Sequence, residues 1–145
     1  FPEKLIPVII QNTINQVPIP VYGDGKNIRD WLFVLDHVKA LWEVITNGKI
    51  GNTYNIGGDN EWSNIEIVKL ICNLMDEYNP LNKGKYDKLI TFVDDRLGHD
   101  RRYAIDASKI KNNLGWKPKY TFEFGVKETV KWYLKNQRWV KSVQK

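Results

Sequence analysis

The chain has 145 residues, of which 42% are hydrophobic and 27% charged, and these values are those of one globular domain with its own core. It has no long apolar run and no secretory signal pattern, and its net charge of +5 comes from scattered lysines, which argues against a membrane protein and a nucleic-acid reader. The single cysteine excludes an internal disulfide, and together these features favour a cytoplasmic protein.

The first predicted element is a helix from Pro2 to about Gln16, where apolar residues recur at helical spacing. Its inner side is predicted to carry Leu5, Ile6, Ile9, Ile10, Thr13 and Ile14. The chain begins without a methionine, and this predicts a piece of a longer protein. Pro18 and Pro20 end the helix and lead into an extended segment at residues 21–22.

A tight turn is predicted next, because Gly23 and Gly25 flank Asp24 and glycine enters left-handed backbone regions without steric cost. Arg29 follows this turn, just ahead of a predicted strand at residues 31–34. A guanidinium held beside a compact turn suits a planar or phosphorylated ligand. The alternative is a hairpin whose arginine is only solvated.

The middle of the chain carries helix-boundary signals. Asp36 is predicted to cap a helix that runs to about Asn47 and is closed by Gly48. A short strand is predicted at residues 53–56, ended by two glycines. The next helix starts at a capping box, and we expect it to end near Tyr78.

That capping box consists of Ser63 and Glu66. Cys72 lies among apolar residues of the same helix, so we interpret it as a buried small hydrophobe and not as a nucleophile. Residues 79–88 are polar and lysine-rich and are predicted to form the most mobile loop. A strand at residues 89–93 follows from its β-branched content.

The last third of the chain is predicted to hold a charged loop, an extended piece and two capped helices. In chain order these are the loop at 94–102, the extended piece at 103–105, a helix capped by Asp106 that ends at 114–115, and an amphipathic helix from Thr121 to about Gln137.

These elements predict the mixed α/β class, mainly helices with short scattered strands and no Rossmann sheet, in one unit over residues 1–145. Neither a Gly-x-Gly-x-x-Gly loop after a strand nor a Tyr-x-x-x-Lys pair on one helical face is present. Tyr22 and Lys26 match the latter spacing only across the glycine turn. No cluster of histidine, cysteine and carboxylate residues has metal-ligand spacing, so no metal site is predicted.

Sequence blocks in a characteristic order add a family resemblance. They are Pro-Glu-Lys-Leu-Ile-Pro at 2–7, the segment 21–38, Tyr-Asn-Ile-Gly-Gly at 54–58, and Asp-Arg-Leu-Gly-His-Asp-Arg-Arg-Tyr at 95–103. In this order and spacing they resemble the C-terminal half of the extended short-chain dehydrogenase/reductase family that acts on nucleotide sugars. The similarity runs from Phe1 to about Val140.

The resemblance implies the substrate-binding portion of an enzyme that oxidises a nucleotide sugar at C4 with bound NAD, removes water across C5 and C6, and returns the hydride to C6. Dehydratases that act on a dTDP-sugar are the nearest members, and related decarboxylases, epimerases and dehydratases look similar. The NAD loop, the acid–base residues and the contacts of a homodimer belong to the N-terminal half. No catalytic residue is therefore predicted in this sequence, and an apolar face is expected to be exposed.

Carried over position by position, the resemblance implies a set of substrate-binding residues. They are Lys4 and Leu5 at the nucleoside end, Pro20 and Tyr22 beside the base, Arg29 and Asn64 at the diphosphate, and Arg96 and His99 at the phosphate and ribose. Forked guanidiniums hold phosphate oxygens through charge-assisted hydrogen bonds, and a helix N-terminus favours anions.

Simpler roles stay open for these residues: Lys4 as a solvated residue, Asn64 as part of a capping turn, Tyr22 packed on Pro20, Arg96 in a surface ion pair with its aspartate neighbours, and His99 bonded to loop backbone. A stand-alone module that binds a nucleotide sugar without turnover also stays open.

Overall fold

The computed structural model describes residues 3–143. Its helices are α1 (Leu5–Asn15), α2 (Val34–Asn47), α3 (Asn64–Tyr78), α4 (Ser108–Leu114), α5 (Phe122–Lys135) and α6 (Gln137–Val143), with a 3-10 helix at Tyr86–Leu89. Its strands are β1 (Ile19–Tyr22), β2 (Ile28–Asp30), β3 (Glu61–Ser63), β4 (Ile90–Val93) and β5 (Arg102–Tyr103). None of the helices within this range is long and apolar enough to cross a membrane.

The strands form two small sheets. β1 pairs with β4 in parallel, which places Tyr22 opposite Val93. β2 is the central strand of the other sheet, antiparallel to β3 and parallel to β5, and there Arg29 lies opposite Trp62 and Tyr103. The predicted class is confirmed: residues 3–143 are mainly helical with short strands and contain no Rossmann sheet.

The main core joins the first helix, β1, α3 and α5. Its buried hydrophobic side chains are Ile9, Ile10, Ile19, Val21, Ile67, Val68, Ile71, Cys72, Leu74, Met75, Tyr86, Phe122, Val126 and Val130. The predicted inner side of α1 is confirmed, although its predicted start at Pro2 lies outside the described residues. Burial raises the pKa of the Cys72 thiol to about 12, so this cysteine is the inert core residue that we predicted.

Most helix boundaries carry the predicted local chemistry. Glu66 accepts a hydrogen bond from the backbone N–H of Ser63 at 2.9 Å, which completes the capping box. The hydroxyl of Thr121 accepts a hydrogen bond from Phe124 N–H at the start of α5. Gly115 ends α4 with φ of +68°, in the left-handed conformation expected of glycine at this position.

The strand predicted at residues 31–34 is wrong. The strand in this region is β2, which ends at Asp30, and α2 already begins at Val34. The apolar residues between them are half-buried for a different reason, since Trp31 packs against Phe122 and Phe33 packs against Phe124, both on α5. The apolar run at residues 31–34 therefore reflects packing against α5 and not pairing with another strand.

Asp36 is not the predicted N-cap of α2. The N-cap is Phe33, and Asp36 lies buried in the first helical turn. Its Oδ2 accepts hydrogen bonds from the backbone N–H groups of Lys119 and Tyr120 at 3.0 and 2.9 Å. The carboxylate thus ties α2 to the segment that leads into α5, which local sequence does not reveal.

Other boundaries also differ from prediction. Residues 53–56 form no strand, because they have no partner strand within residues 3–143, and Tyr54 and Ile56 instead pack on a smaller core between α2 and α4. Part of the predicted mobile loop is the 3-10 helix, where Tyr86 is buried and donates to Asn79 O. The N-cap of α4 is Ala107, although Asp106 accepts from Ser108 N–H at 2.8 Å.

The predicted exposed apolar face lies on α2. Its exposed side chains are Val34, Leu35, Val38, Leu41, Trp42 and Ile45. Trp42 is 66% exposed and Ile45 is 76% exposed, and neither has a covering element within the described part of the chain. A face of this kind favours association, because burying it removes apolar surface from water.

Residues 1–145 expressed alone are expected to self-associate as concentration rises, and the double variant Trp42→Glu/Ile45→Lys is expected to stay monomeric. Sedimentation velocity measures both. Ile50→Lys is the matched control, because Ile50 is 98% exposed but lies in the turn after α2. A monomer at every concentration, or equal loss of association in the control, would contradict this prediction.

Candidate functional site

The glycine turn after β1 has the predicted geometry. Gly23 and Gly25 have φ of +57° and +69°, and Gly25 N–H donates to the Tyr22 carbonyl at 3.1 Å. Asp24 Oδ1 accepts a hydrogen bond from Lys26 N–H at 2.9 Å. A Cβ at residue 25 would lie 2.7 Å from a methyl carbon of Val21, so this position requires glycine for space as well as for its φ.

The N-terminus of α3 abuts this turn. The backbone N–H of Asn64, the first residue of α3, donates to the Asn27 carbonyl at 3.0 Å. The next backbone N–H, of Ile65, donates to the Gly25 carbonyl at 2.9 Å. Asn64 therefore lies in the first turn of α3 and beside the glycine turn, and its role in a substrate site stays a prediction.

The segment 94–101 lies along the other side of the turn. Ile28 N–H donates to the Arg101 carbonyl at 2.8 Å, and the Asn27 side chain donates to the Asp100 carbonyl at 3.2 Å. Arg29 Nη1 donates to the same Asp100 carbonyl at 3.0 Å and to Ile28 O at 2.6 Å. These contacts bring the loop that carries Arg96 and His99 against the strand that carries Arg29.

His99 is held by a carboxylate. Its Nδ1 lies 2.6 Å from Asp95 Oδ1, and its side chain is only 6% exposed. The hydrogen bond with His99 lowers the pKa of Asp95, so Asp95 is ionised at neutral pH. The simpler role of a histidine bonded to loop backbone is therefore wrong, since its partner is a side chain.

The arginines around the turn fall into two groups. Arg101 donates to both carboxylate oxygens of Asp24 at 2.8 and 3.1 Å, and Arg102 donates to both oxygens of Glu61 at 2.7 and 2.6 Å. Arg29 and Arg96 have no carboxylate partner within residues 3–143. The surface ion pair proposed for Arg96 is absent there, because Asp95 binds His99 and accepts only the backbone N–H of Arg96.

The remaining predicted residues lie on α1 and β1. Pro20 and Tyr22 belong to β1, and Tyr22, 46% exposed, immediately precedes the turn. Leu5 packs on the main core, and Lys4 is exposed at the N-cap of α1, 3.9 Å from Glu3. Hydrogen bonds and ion pairs of the described residues join neither Lys4 nor Leu5 to the loop. The structure thus gathers Tyr22, Arg29, Asn64, Arg96 and His99 at the turn, whereas the contacts of Lys4 and Leu5 are with Glu3 and the main core.

An open cleft of about 590 Å³ lies at the turn, lined by Gly23 and by residues 92–95. A cleft of about 670 Å³ between the start of α2 and α5 is lined mainly by apolar surface and contains none of the predicted site residues. The described residues include no group of three or more His, Cys, Asp or Glu side chains that could hold a metal ion.

Four side chains that support this site were not predicted from the sequence: Asp24, Asp95, Arg101 and Glu61. Adjacent arginines inside a motif block were one signal for Arg101. Asp24 and Arg101 are separated by 77 positions, so no local pattern links them.

The comparisons with known proteins decide the family. A family model described as GDP-mannose 4,6 dehydratase matches residues 1–129. The chain belongs to this family. A dTDP-glucose 4,6-dehydratase from Xanthomonas campestris pv. campestris is 56% identical over 144 residues, which are 99% of this chain and 41% of the relative. The chain therefore spans about two fifths of the length of the curated relatives that it matches.

Solved structures agree with this family. The dTDP-glucose 4,6-dehydratase from Bacillus anthracis, in complex with NAD, is 49% identical with a TM-score of 0.82, over 96% of this chain and 42% of that one. The enzyme of the same name from Streptomyces venezuelae, also with NAD bound, is 36% identical with a TM-score of 0.84, over 95% and 40%. The predicted resemblance to nucleotide-sugar enzymes of the extended short-chain dehydrogenase/reductase type, and to dTDP-glucose 4,6-dehydratases in particular, is confirmed.

Residues 3–143 contain no dinucleotide phosphate loop for the NAD held by these two structures. A dinucleotide phosphate loop joins a strand directly to the N-terminus of a helix. Here the glycine turn at 23–25 leads into β2, and Gly57 and Gly58 lead into β3. We therefore assign no NAD contact to the described residues.

Proposed function

We propose that residues 1–145 form the nucleotide-sugar-binding domain of a dTDP-glucose 4,6-dehydratase, which converts dTDP-glucose to dTDP-4-keto-6-deoxyglucose and water. Support comes from relatives of that name that match 99% of this chain at 56–57% identity. In this proposal NAD, the catalytic residues and the homodimer contacts belong to parts of a longer chain outside this sequence. Residues 1–145 alone then bind substrate and do not turn it over.

The arrangement of arginines is the observation that carries the proposal. A guanidinium that already binds a carboxylate has few free N–H donors for a ligand, and its charge is already neutralised. Arg29 and Arg96 have no such carboxylate partner within residues 3–143. Only Nη1 of Arg29 is used, and it donates to backbone carbonyls, so Nε and Nη2 stay available for phosphate oxygens. Unpaired forked cations suit a diphosphate.

The other proposed contacts extend from this anion site. His99 donates Nδ1–H to ionised Asp95, which leaves Nε2 free to accept a hydrogen bond from a ribose hydroxyl. Tyr22 presents an exposed aromatic ring at the end of β1, where a flat pyrimidine base stacks, with Pro20 beside it on the same strand. Lys4 and Leu5 complete the nucleoside end in this proposal.

The test is a calorimetric titration of residues 1–145, and of a full-length chain that contains them, with dTDP, UDP and dTDP-glucose at low and moderate salt. We expect both thymidine nucleotides to bind more tightly than UDP. The affinity should fall as salt rises, because the main attraction is between ions. Equal affinity for UDP would contradict the dTDP assignment, and no binding of any ligand by the full-length chain would contradict the function.

A further inference from the structure

The loop that carries Arg96 and His99 has no regular secondary structure from residue 94 to 100. Its position therefore depends on contacts at its two ends, where side-chain contacts add to the backbone hydrogen bonds of Val93 and Arg101. Its far end is held by paired ions on two elements. Arg101 forms a two-pronged contact with Asp24 at the tip of the glycine turn. Arg102 forms a second one with Glu61 on β3. Planar, two-pronged contacts of this kind fix direction as well as distance.

Of these contacts, the one between Asp24 and Arg101 joins the loop to the turn itself. At its near end the loop also meets the turn, because a Cβ on Gly23 would lie only 3.0 Å from Asp95 Oδ2. Asp95 in turn holds His99. The turn therefore contacts the loop on both sides of Arg96 and His99.

We infer that Asp24 and Arg101 are positioning residues, which hold the 94–100 loop so that Arg96 meets the same diphosphate as Arg29 and His99 meets the ribose. This inference rests on the proposed function. The pair also keeps Arg101 from competing for the phosphates, because its guanidinium is already matched to a carboxylate. Neither residue touches the substrate in this arrangement.

Charge supports this role at neutral pH. The hydrogen bond from Arg101 lowers the pKa of Asp24 to about 2, so the carboxylate is ionised and the pair is intact at physiological pH. Both side chains are about half exposed, with relative accessibilities of 61% for Arg101 and 49% for Asp24. Salt therefore screens the pair, and we expect an effect on ligand binding that is measurable but smaller than the loss of a direct contact.

The experiment compares Asp24→Asn, Arg101→Gln and Asp24→Glu in a full-length chain that contains these residues. Asparagine keeps an acceptor for Lys26 N–H, so the turn is preserved while the charge is lost. We expect Asp24→Asn and Arg101→Gln to weaken dTDP binding about three- to tenfold, with a smaller loss for dTMP, which lacks the second phosphate. Asp24→Glu keeps the charge and should stay within about twofold of the unmodified chain.

The control is Glu128→Gln, which breaks an exposed pair with Lys131 on α5 and should leave dTDP affinity unchanged. Unchanged dTDP affinity in Asp24→Asn and Arg101→Gln overturns the inference and leaves the proposed function intact. Equal losses for dTDP and dTMP, or a loss in Asp24→Glu as large as in Asp24→Asn, also overturn it, because they indicate a general structural role. Failure of the unmodified chain to bind dTDP overturns the proposed function, and the inference with it.

Discussion

Arg29→Ala is expected to weaken dTDP binding by about 1.5–3 kcal/mol, the usual loss for a hydrogen bond to a charged group. The side chain is half-buried on β2, and its Nη1 is held by the carbonyls of Ile28 and Asp100. These bonds orient the fork before a ligand arrives, so little entropy is lost on binding. Calorimetric titration with dTDP measures the effect.

Two further variants separate this role from net charge. Arg138→Ala removes the same charge from an exposed position on α6 and should leave dTDP affinity unchanged. Arg29→Lys keeps the charge but not the planar fork, so it should recover only part of the affinity. If Arg29→Ala binds dTDP as tightly as the unmodified chain, Arg29 is not part of the site.

Asp36→Ala is expected to lower the free energy of unfolding by about 2–4 kcal/mol, because two backbone N–H groups lose their only side-chain acceptor. The carboxylate is 1% exposed and accepts from Lys119 and Tyr120, so water cannot readily replace it. Loss of this contact frees the segment before α5, against whose aromatic residues Trp31 and Phe33 pack. Urea denaturation followed by circular dichroism measures the change.

Asp36→Asn is the matched control for that variant. An amide oxygen at the position of Oδ2 still accepts from both N–H groups, so we expect a loss of about 1 kcal/mol. Equal stability of the alanine variant and the unmodified chain would show that this contact does not stabilise the fold. An equal loss of unfolding free energy in Asp36→Ala and Asp36→Asn would indicate that the charge of Asp36 stabilises the fold, and not its role as a hydrogen-bond acceptor.

Much of the helical structure could be predicted because its signals lie within a few residues of each other. Ser63 and Glu66 are three positions apart and bond to each other, and Gly115 ends α4 through its own φ. The inner face of α1 follows from apolar spacing alone. The motif blocks likewise predicted the family, since a resemblance needs only their order and spacing.

The strands were harder to predict because short strands carry few residues and depend on distant partners. β2 has three residues, and its parallel partner β5 lies more than 70 positions further along the chain. Residues 53–56 were predicted as a strand ended by two glycines, yet strand structure needs a partner that residues 3–143 do not supply. Pattern alone cannot distinguish a paired segment from an extended one.

The candidate site, like the fold, was predicted in part from the sequence and in part shown only by the structure. Composition, the glycine turn and the motif blocks by themselves predicted which residue types would take part, and they singled out Arg29 before any contact was known. Only the tertiary structure decided which arginines have no carboxylate partner and that Asp95 binds His99. It also decided that Asp36 accepts hydrogen bonds from backbone N–H groups more than 80 positions further along the chain. The physical reason is that charge pairing and burial depend on distances in space, which bring together residues that sequence spacing does not relate.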